Sequence, residues 1–253
     1  MKLARDTWLI YQRSLLQVLR NPVWLIFGLL QPLLYLVCFG PLLHAVASAP
    51  GFPGGGSWNV FVPGLLLQIA VFSGGFVGFG LIAQLRYGVI ERFRVTPMNR
   101  TAMLLGMALR DATVLVSQGL LLMAVAIPFG LTLDTADVAV AVAGLLLVGV
   151  TLSPISYAVA LKMRSEDAFA PFVNGVALPL LLLSGVLLPM SLAPDWLRAV
   201  AQFDPLLHVV NALRAVFTAT GDPSTVVFGL GLFAVLGVLA LWVGRLAFSR
   251  AVA

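Results

Sequence analysis

Residues 60–85 read VFVPGLLLQIAVFSGGFVGFGLIAQL, without one Asp, Glu, Lys or Arg. About 20 residues of helix cross the hydrocarbon core of a bilayer, so a run of this length reads as a membrane span. Working outward from it, Val23–Leu43, Ala112–Leu131, Val138–Leu161, Ala168–Met190 and Thr225–Gly244 are equally free of charge. In lipid the backbone must satisfy its own hydrogen bonds, and continuous apolar runs do this as helices, not as alternating barrel strands. The chain is 60% hydrophobic and 10% charged. The expectation is an all-α membrane protein with six transmembrane helices in a single domain over residues 1–253.

The charges fall at alternate ends of these runs. Lys2, Arg5, Arg13 and Arg20 precede the first, and Arg86, Arg92, Arg94, Arg100 and Arg110 separate the second from the third. Lys162 and Arg164 follow the fourth, and Arg245 and Arg250 follow the sixth. Thirteen of the 15 basic residues thus share one side, leaving Arg198 and Arg214 on the other. Basic residues mark cytoplasmic loops, so both termini are expected in the cytoplasm. The net charge of +5 then follows from topology and calls for no nucleic acid. Little Lys beside abundant Ala, Val, Gly and Arg is the composition of a GC-rich bacterial gene, which points to a bacterial plasma (inner) membrane. At the start, Asp6, Arg13 and Arg20 interrupt any signal-peptide core.

Between the second and third runs lies a charged island, Arg86-Tyr87-Gly88-Val89-Ile90-Glu91-Arg92-Phe93-Arg94-Val95-Thr96-Pro97-Met98-Asn99-Arg100. Val89, Ile90 and Phe93 can bury on a short helix while Glu91, Arg92 and Arg94 face water. Thr96-Pro97 ends that helix and caps the next. A short helix with an apolar anchor and a charged rim fits a groove on a soluble partner, although anionic lipid headgroups compete for its arginines. Residues 86–100 are therefore expected to receive force from outside the membrane.

Two further segments are helical without spanning. At 100° per residue, Asp6, Arg13, Gln17 and Arg20 share one face of the N-terminal segment; Ala4, Trp8, Tyr11, Leu15 and Leu19 share the other. This predicts an interfacial helix over residues 4–21, with Trp8, Tyr11 and Arg13 as its anchors. Residues 189–222 form an outer segment, in which Asp204-Pro205 is an N-cap followed by a first-turn proline. The helix from Pro205 to Ala219 is ~22 Å long, too short to span. It places Leu206, Val210, Leu213 and Phe217 on one face and Asn211 and Arg214 elsewhere. Two short re-entrant helices are expected there. Residues 49–57, rich in Gly and Pro, read as a linker.

Several chemistries are excluded. Gly54-Gly55-Gly56 and Ser73-Gly74-Gly75 lack the lysine of a phosphate-binding loop, so the chain is not expected to hydrolyse nucleotide. Cys38 stands alone, and His44 and His208 have no ligand spacing, so no metal site or disulfide is expected. The runs hold no titratable group of the kind a proton-coupled carrier needs, and no histidine near Ser153 or Ser156 that could serve as a base. Gln31, Gln68, Gln118, Ser153, Ser156, Asn174 and Ser184 are the neutral polar groups. Of these, Gln31, Gln68 and Asn174 are the candidates for a translocation path. Gly74, Gly75, Gly78 and Gly80 are expected to let helices approach closely.

The run Gly88–Arg100, with Leu105-Gly106 and Asp111 after it, resembles the cytoplasmic motif of type-2 ABC transporter permeases, most closely the daunorubicin-type drug-exporter branch. Phe61-Val62-Pro63-Gly64, Leu188-Pro189, Trp196-Leu197-Arg198, Asp204-Pro205 and Ala212-Leu213-Arg214 extend the resemblance over nearly the whole chain. Val95-Thr96 stands where that branch commonly has serine and leucine. The resemblance implies six spans per subunit and a dimeric membrane unit, formed with a second copy or a paralogue. It also implies two separate ATP-binding subunits that carry ATP and magnesium and engage the segment after the second span. No cofactor falls to this chain. The coupling residues would be Arg86, Glu91, Arg92, Phe93, Arg94, Thr96, Pro97 and Arg100. The expected activity is export of a hydrophobic or amphipathic compound. Export of a lipid or lipid-linked glycan, and a non-transporting accessory role, are the alternatives.

Overall fold

A computed structural model describes residues 2–20, 23–46, 54, 56–88, 100–219 and 221–251. Every regular element among them is helical. In chain order these are α1 (Lys2–Arg20), α2 (Val23–Val46), α3 (Ser57–Phe76), α4 (Gly78–Arg86), α5 (Arg100–Ala126), α6 (Thr135–Met163) and α7 (Glu166–Leu183). They continue with α8 (Asp195–Ala201), α9 (Pro205–Phe217) and α10 (Pro223–Ala251). Five stretches are long and apolar enough to cross a membrane: Ser57–Arg86, Thr101–Phe129, Thr135–Met163, Glu166–Leu183 and Pro223–Ala247. The chain is thus a multi-pass, all-helical membrane protein. The remaining expected run forms α2, which is 24 residues long and apolar over Gly28–Leu42.

Local signals explain the ends. The Asp137 carboxylate accepts from the Asp134 amide at 2.7 Å in a capping box that starts α6. Asp204 accepts from the Leu206 amide at 2.9 Å and, with Pro205 in the first turn, starts α9. At Gly185 the backbone takes a φ of 69°, which turns the chain after α7. That is why this helix ends at Leu183 and not at Met190.

α6 is the central helix, packed on α10, α3 and α5, while α9 lies against α10 and α3, and α1 against α5. Two cores fill the bundle. One gathers Leu81, Met103, Met107, Tyr157, Leu161 and Phe169. It adjoins the helix ends that carry Arg86, Arg100 and Lys162, the basic end of the bundle. The larger core holds Trp58, Phe61, Leu122, Leu145, Val210 and Phe233 and reaches the opposite end.

Three expectations need correction. The second run is one apolar stretch in sequence but two helices, α3 and α4, with a break at Val77. The third helix begins at Arg100, well before Ala112, because the stretch Thr101–Arg110 is rich in helix formers and α1 covers it. Arg110 and Asp111 consequently lie within the helix and not in a connector. Finally, Arg214 is buried with 5% exposure and does not point away from the packed face of α9.

Candidate functional site

The expected coupling segment falls largely outside the described residues: Glu91, Arg92, Phe93, Arg94, Thr96 and Pro97 are among those not described, and only the backbone of Arg100 is. Its surroundings at the basic end are on view. Arg86, the last residue of α4, pairs with Glu166 in the first turn of α7 at 3.6 Å. Both side chains are well exposed, so this pair contributes little, ~0–1 kcal/mol. It nonetheless ties the exit of α4 to the entry of α7. On the other side, α1 lies tight on α5, since a Cβ at Gly106 would meet Ile10 Cβ and the Thr7 carbonyl at 2.8 Å. Only glycine allows that approach. Thr113 also lies 3.3 Å from the Tyr11 hydroxyl. Trp8 stacks obliquely on Tyr11 at 5.1 Å and is 53% exposed, and Arg13 is exposed. α1 therefore buries the face through Ile10 and leaves its apolar Trp8 face for lipid.

Above this end sits a buried ionic knot. Arg110 Nη2 and Asp111 Oδ1 are 2.7 Å apart. The Tyr157 hydroxyl donates to Asp111 Oδ2 and accepts from Arg110 Nη2 at 3.3 Å. Asp111 and Tyr157 are buried, so α6 is joined to α5 through the Tyr157 hydroxyl, which meets a charge pair on α5 that water barely reaches. Arg110 Nε remains without a partner.

The break between α3 and α4 has its own repair. A helix interrupted at Val77 frees the Gly78 amide, which donates to Ser156 Oγ at 3.0 Å. Ser156 in turn donates to the Gly75 carbonyl at 2.6 Å. A Cβ at Gly78 would lie 2.4 Å from the Phe169 ring. The result is a satisfied break between α3, whose residues are mostly buried, and α4, which leads toward the expected coupling segment.

The opposite end is clasped by two polar groups. Asn59 Nδ2 donates to Thr132 Oγ1 at 3.0 Å and to the Phe217 carbonyl, while the Thr132 amide donates to Asn59 Oδ1 at 3.3 Å. Arg214 Nε donates to the Val60 carbonyl at 2.9 Å, and its Nη2 to the Gly185 carbonyl at 2.7 Å. Backbone carbonyls, and no carboxylate among the described residues, hold this guanidinium. Together the two side chains bind α9 to the start of α3 and the end of α7. Burial lifts the Asp204 carboxyl at the head of α9 to about 6, against the pull of the Leu206 amide and of His208.

The three path candidates lie on three different helices. Gln31 is exposed on α2 and donates to the Tyr35 hydroxyl at 3.2 Å. Gln68 is buried within α3, its Oε1 without a partner. Asn174 is half-buried on α7. Gln118 bridges helices, accepting from Ser73 Oγ at 2.8 Å. A cavity of about 510 Å³ opens instead between α6, α7 and α10, lined almost wholly by apolar side chains. Sequence reading missed this cleft, the knot and the Arg214 seat. Asp111 beside an apolar run was the available signal for the knot. Among the described residues no group of three His, Cys, Asp or Glu side chains is placed to hold a metal ion.

Known proteins resemble this chain in sequence. The chain is 27% identical over 218 residues to a putative transport permease, ycf38, of Cyanophora paradoxa, covering 85% of this chain and 74% of that one. The ycf38 permease of Pyropia yezoensis is 27% identical over 222 residues, covering 86% and 75%. The daunorubicin resistance ABC transporter permease protein DrrB1 of Streptomyces coeruleorubidus is 26% identical over 210 residues, covering 82% and 73%. The model of the ABC-2 type transporter family matches residues 5–218, and with most of its length inside that match the chain belongs to the ABC-2 type transporter family.

Proposed function

We propose that this chain is the membrane subunit of an ATP-driven exporter that moves a hydrophobic or amphipathic compound out of the cytoplasm or inner leaflet. The family match over residues 5–218 is the observation that carries this reading, and the name of the DrrB1 relative supports drugs or natural products as cargo. In this reading α2 is the sixth span and both termini are cytoplasmic, in a bacterial plasma membrane. Two ATP-binding subunits, holding ATP and magnesium, grip residues 86–100. A second permease, a copy or a paralogue, completes the unit.

Closure of the ATP-binding subunits pushes Glu91–Arg100, which moves α4 about the hinge at Val77 and moves the first turns of α5. The Arg110–Asp111–Tyr157 knot makes α6 follow α5, so a push at the basic end reaches the bundle centre. A switch of this kind needs packed elements with two discrete arrangements. In this reading Gln31, exposed, and Asn174, half-buried, meet solute at a subunit interface. Gln68, enclosed in its own protomer, would act by setting the packing of α3. Purification of the tagged chain from its own host tests the reading. An ATP-binding subunit should co-purify in equal number, and reconstituted vesicles should show ATPase activity stimulated by hydrophobic compounds. A chain that purifies without any ATPase would sink the proposal.

A further inference from the structure

The cleft between α6, α7 and α10 has a shape, a chemistry and a mouth. Its ends are marked by Leu152 and Val159 on α6, Phe172 and Leu180 on α7, and Phe233 and Val243 on α10. From Phe233 to Val243 is ~15 Å along a helix, which is the depth of one leaflet's hydrocarbon. The cavity of about 510 Å³ runs along that length.

The lining offers nothing to a polar ligand. Its two hydroxyls are spent within the protein: Ser156 on Gly75 and Gly78, and Thr151 on the Leu147 and Phe233 carbonyls at 2.7 and 3.3 Å. The walls on α7 and α10 are apolar side chains that also face outward, such as Phe172, Val176 and Leu239. The cleft therefore opens toward lipid. Toward the basic end, the face of α6 that lines the cleft continues to a cation. Lys162 lies one turn beyond Val159 on the same face of α6. It is exposed and pairs with no carboxylate among the described residues.

We infer that this cleft is the seat of a single membrane phospholipid, one acyl chain lying between α6, α7 and α10 and the phosphate meeting Lys162. An aliphatic chain fills apolar volume that would otherwise stay empty, and the ammonium meets the phosphate where the chain ends. The lipid is a resident one: it wedges α7, which packs loosely on α6, and needs no ATP to bind. The inference concerns lipid retention alone and does not rest on the export reading.

The test uses the full-length complex in nanodiscs with a phosphatidylglycerol carrying a photoactivatable group midway along one acyl chain, without ATP. Labelling should concentrate on peptides containing Leu152–Val159, Phe172–Leu180 and Phe233–Val243. Native mass spectrometry should find one phospholipid retained per chain. Leu236→Trp, which fills the cleft, should lower both readouts several-fold, while Phe228→Trp on the exposed face of α10 should not. Lys162→Gln, a surface change that leaves the fold intact, should lower retention, and Arg245→Gln, on the opposite face of α10 from Val243, should leave it unchanged. Even labelling around all faces of α10 would overturn the inference. So would disulfides between copies through cysteines placed at Val176 and Leu239, or displacement of the lipid by transported compound.

Discussion

Ser156 carries two hydrogen bonds that no other side chain replaces, and its loss is the simplest test of the hinge. Ser156→Ala leaves the Gly78 amide buried and unpaired, and should cost about 1–3 kcal/mol, read from the unfolding midpoint in mild detergent. In the knot, Tyr157→Phe removes a hydrogen bond to a charged group and should cost about 1.5–3 kcal/mol, whereas Asp111→Ala strands a buried guanidinium and should cost about 3–5 kcal/mol. Equal, small losses in both variants would mean that water reaches the knot. Asp204 gives a pH signature. Its folded carboxyl sits near 6 and an unfolded one near ~3.9, so the native state loses stability as pH rises from about 4 to about 6. Asn caps a helix as well as Asp, so Asp204→Asn should flatten the melting temperature across that window and exceed the wild type at neutral pH. Of these residues only the Asp204 cap was legible beforehand, because a cap is a relation between neighbours. The knot joins positions 46 apart, and Arg214 meets a carbonyl 154 positions away; neither relation leaves a local pattern.

At the scale of elements, the long helices announce themselves because hydrocarbon thickness imposes a length that the sequence must match residue by residue. The break at Val77 does not, since Phe76, Val77 and Gly78 are as apolar as their neighbours and the compensation comes from α6. The start of α5 is hidden for a related reason: charge suggests a boundary, although a neighbouring helix and an ion pair keep Arg110 and Asp111 in the helix. Residues 189–222 hold two short helices, α8 and α9, and the clasp on α9 yields a prediction. Arg214→Met removes the hydrogen bonds that hold α9 to α3 and α7, so cysteines placed at Phe203 and Ala219 should react faster with a thiol reagent than in the parent. Unchanged rates would mean that packing alone seats α9. Chain direction is testable as well. In a Cys38→Ser background, cysteines at Gly55 and Asn99 should react with an impermeant thiol reagent from opposite faces of intact cells. Labelling of both from one face would refute the six-span topology.

At the scale of the whole molecule, one end gathers the close of α4, the start of α5, α1, the Arg86–Glu166 pair and the ionic knot, while the opposite end is closed by the Asn59 and Arg214 clasps. This polarity suits a machine pushed at one end and released at the other. The class of protein was legible from apolar length and charge alternation. The cargo was not, because in the proposed reading solute meets the chain at an interface that one chain does not contain. On the helix expected for residues 86–100, Glu91 and Arg94 are three apart and near one another. At a wet rim such a charge contributes ~0–1 kcal/mol, but docked and partly desolvated in a partner's groove its loss costs ~2–5 kcal/mol. The most direct measurement is therefore transport and ATP hydrolysis by Glu91→Arg in reconstituted vesicles, beside Pro97→Ala, whose Thr96 can still cap the following helix. Glu91→Arg should release the ATP-binding subunit, or leave ATP hydrolysis running without transport, while the permease stays folded and Pro97→Ala loses less. Normal ATPase binding and wild-type transport by Glu91→Arg would contradict the account, leaving residues 86–100 as a lipid-facing loop.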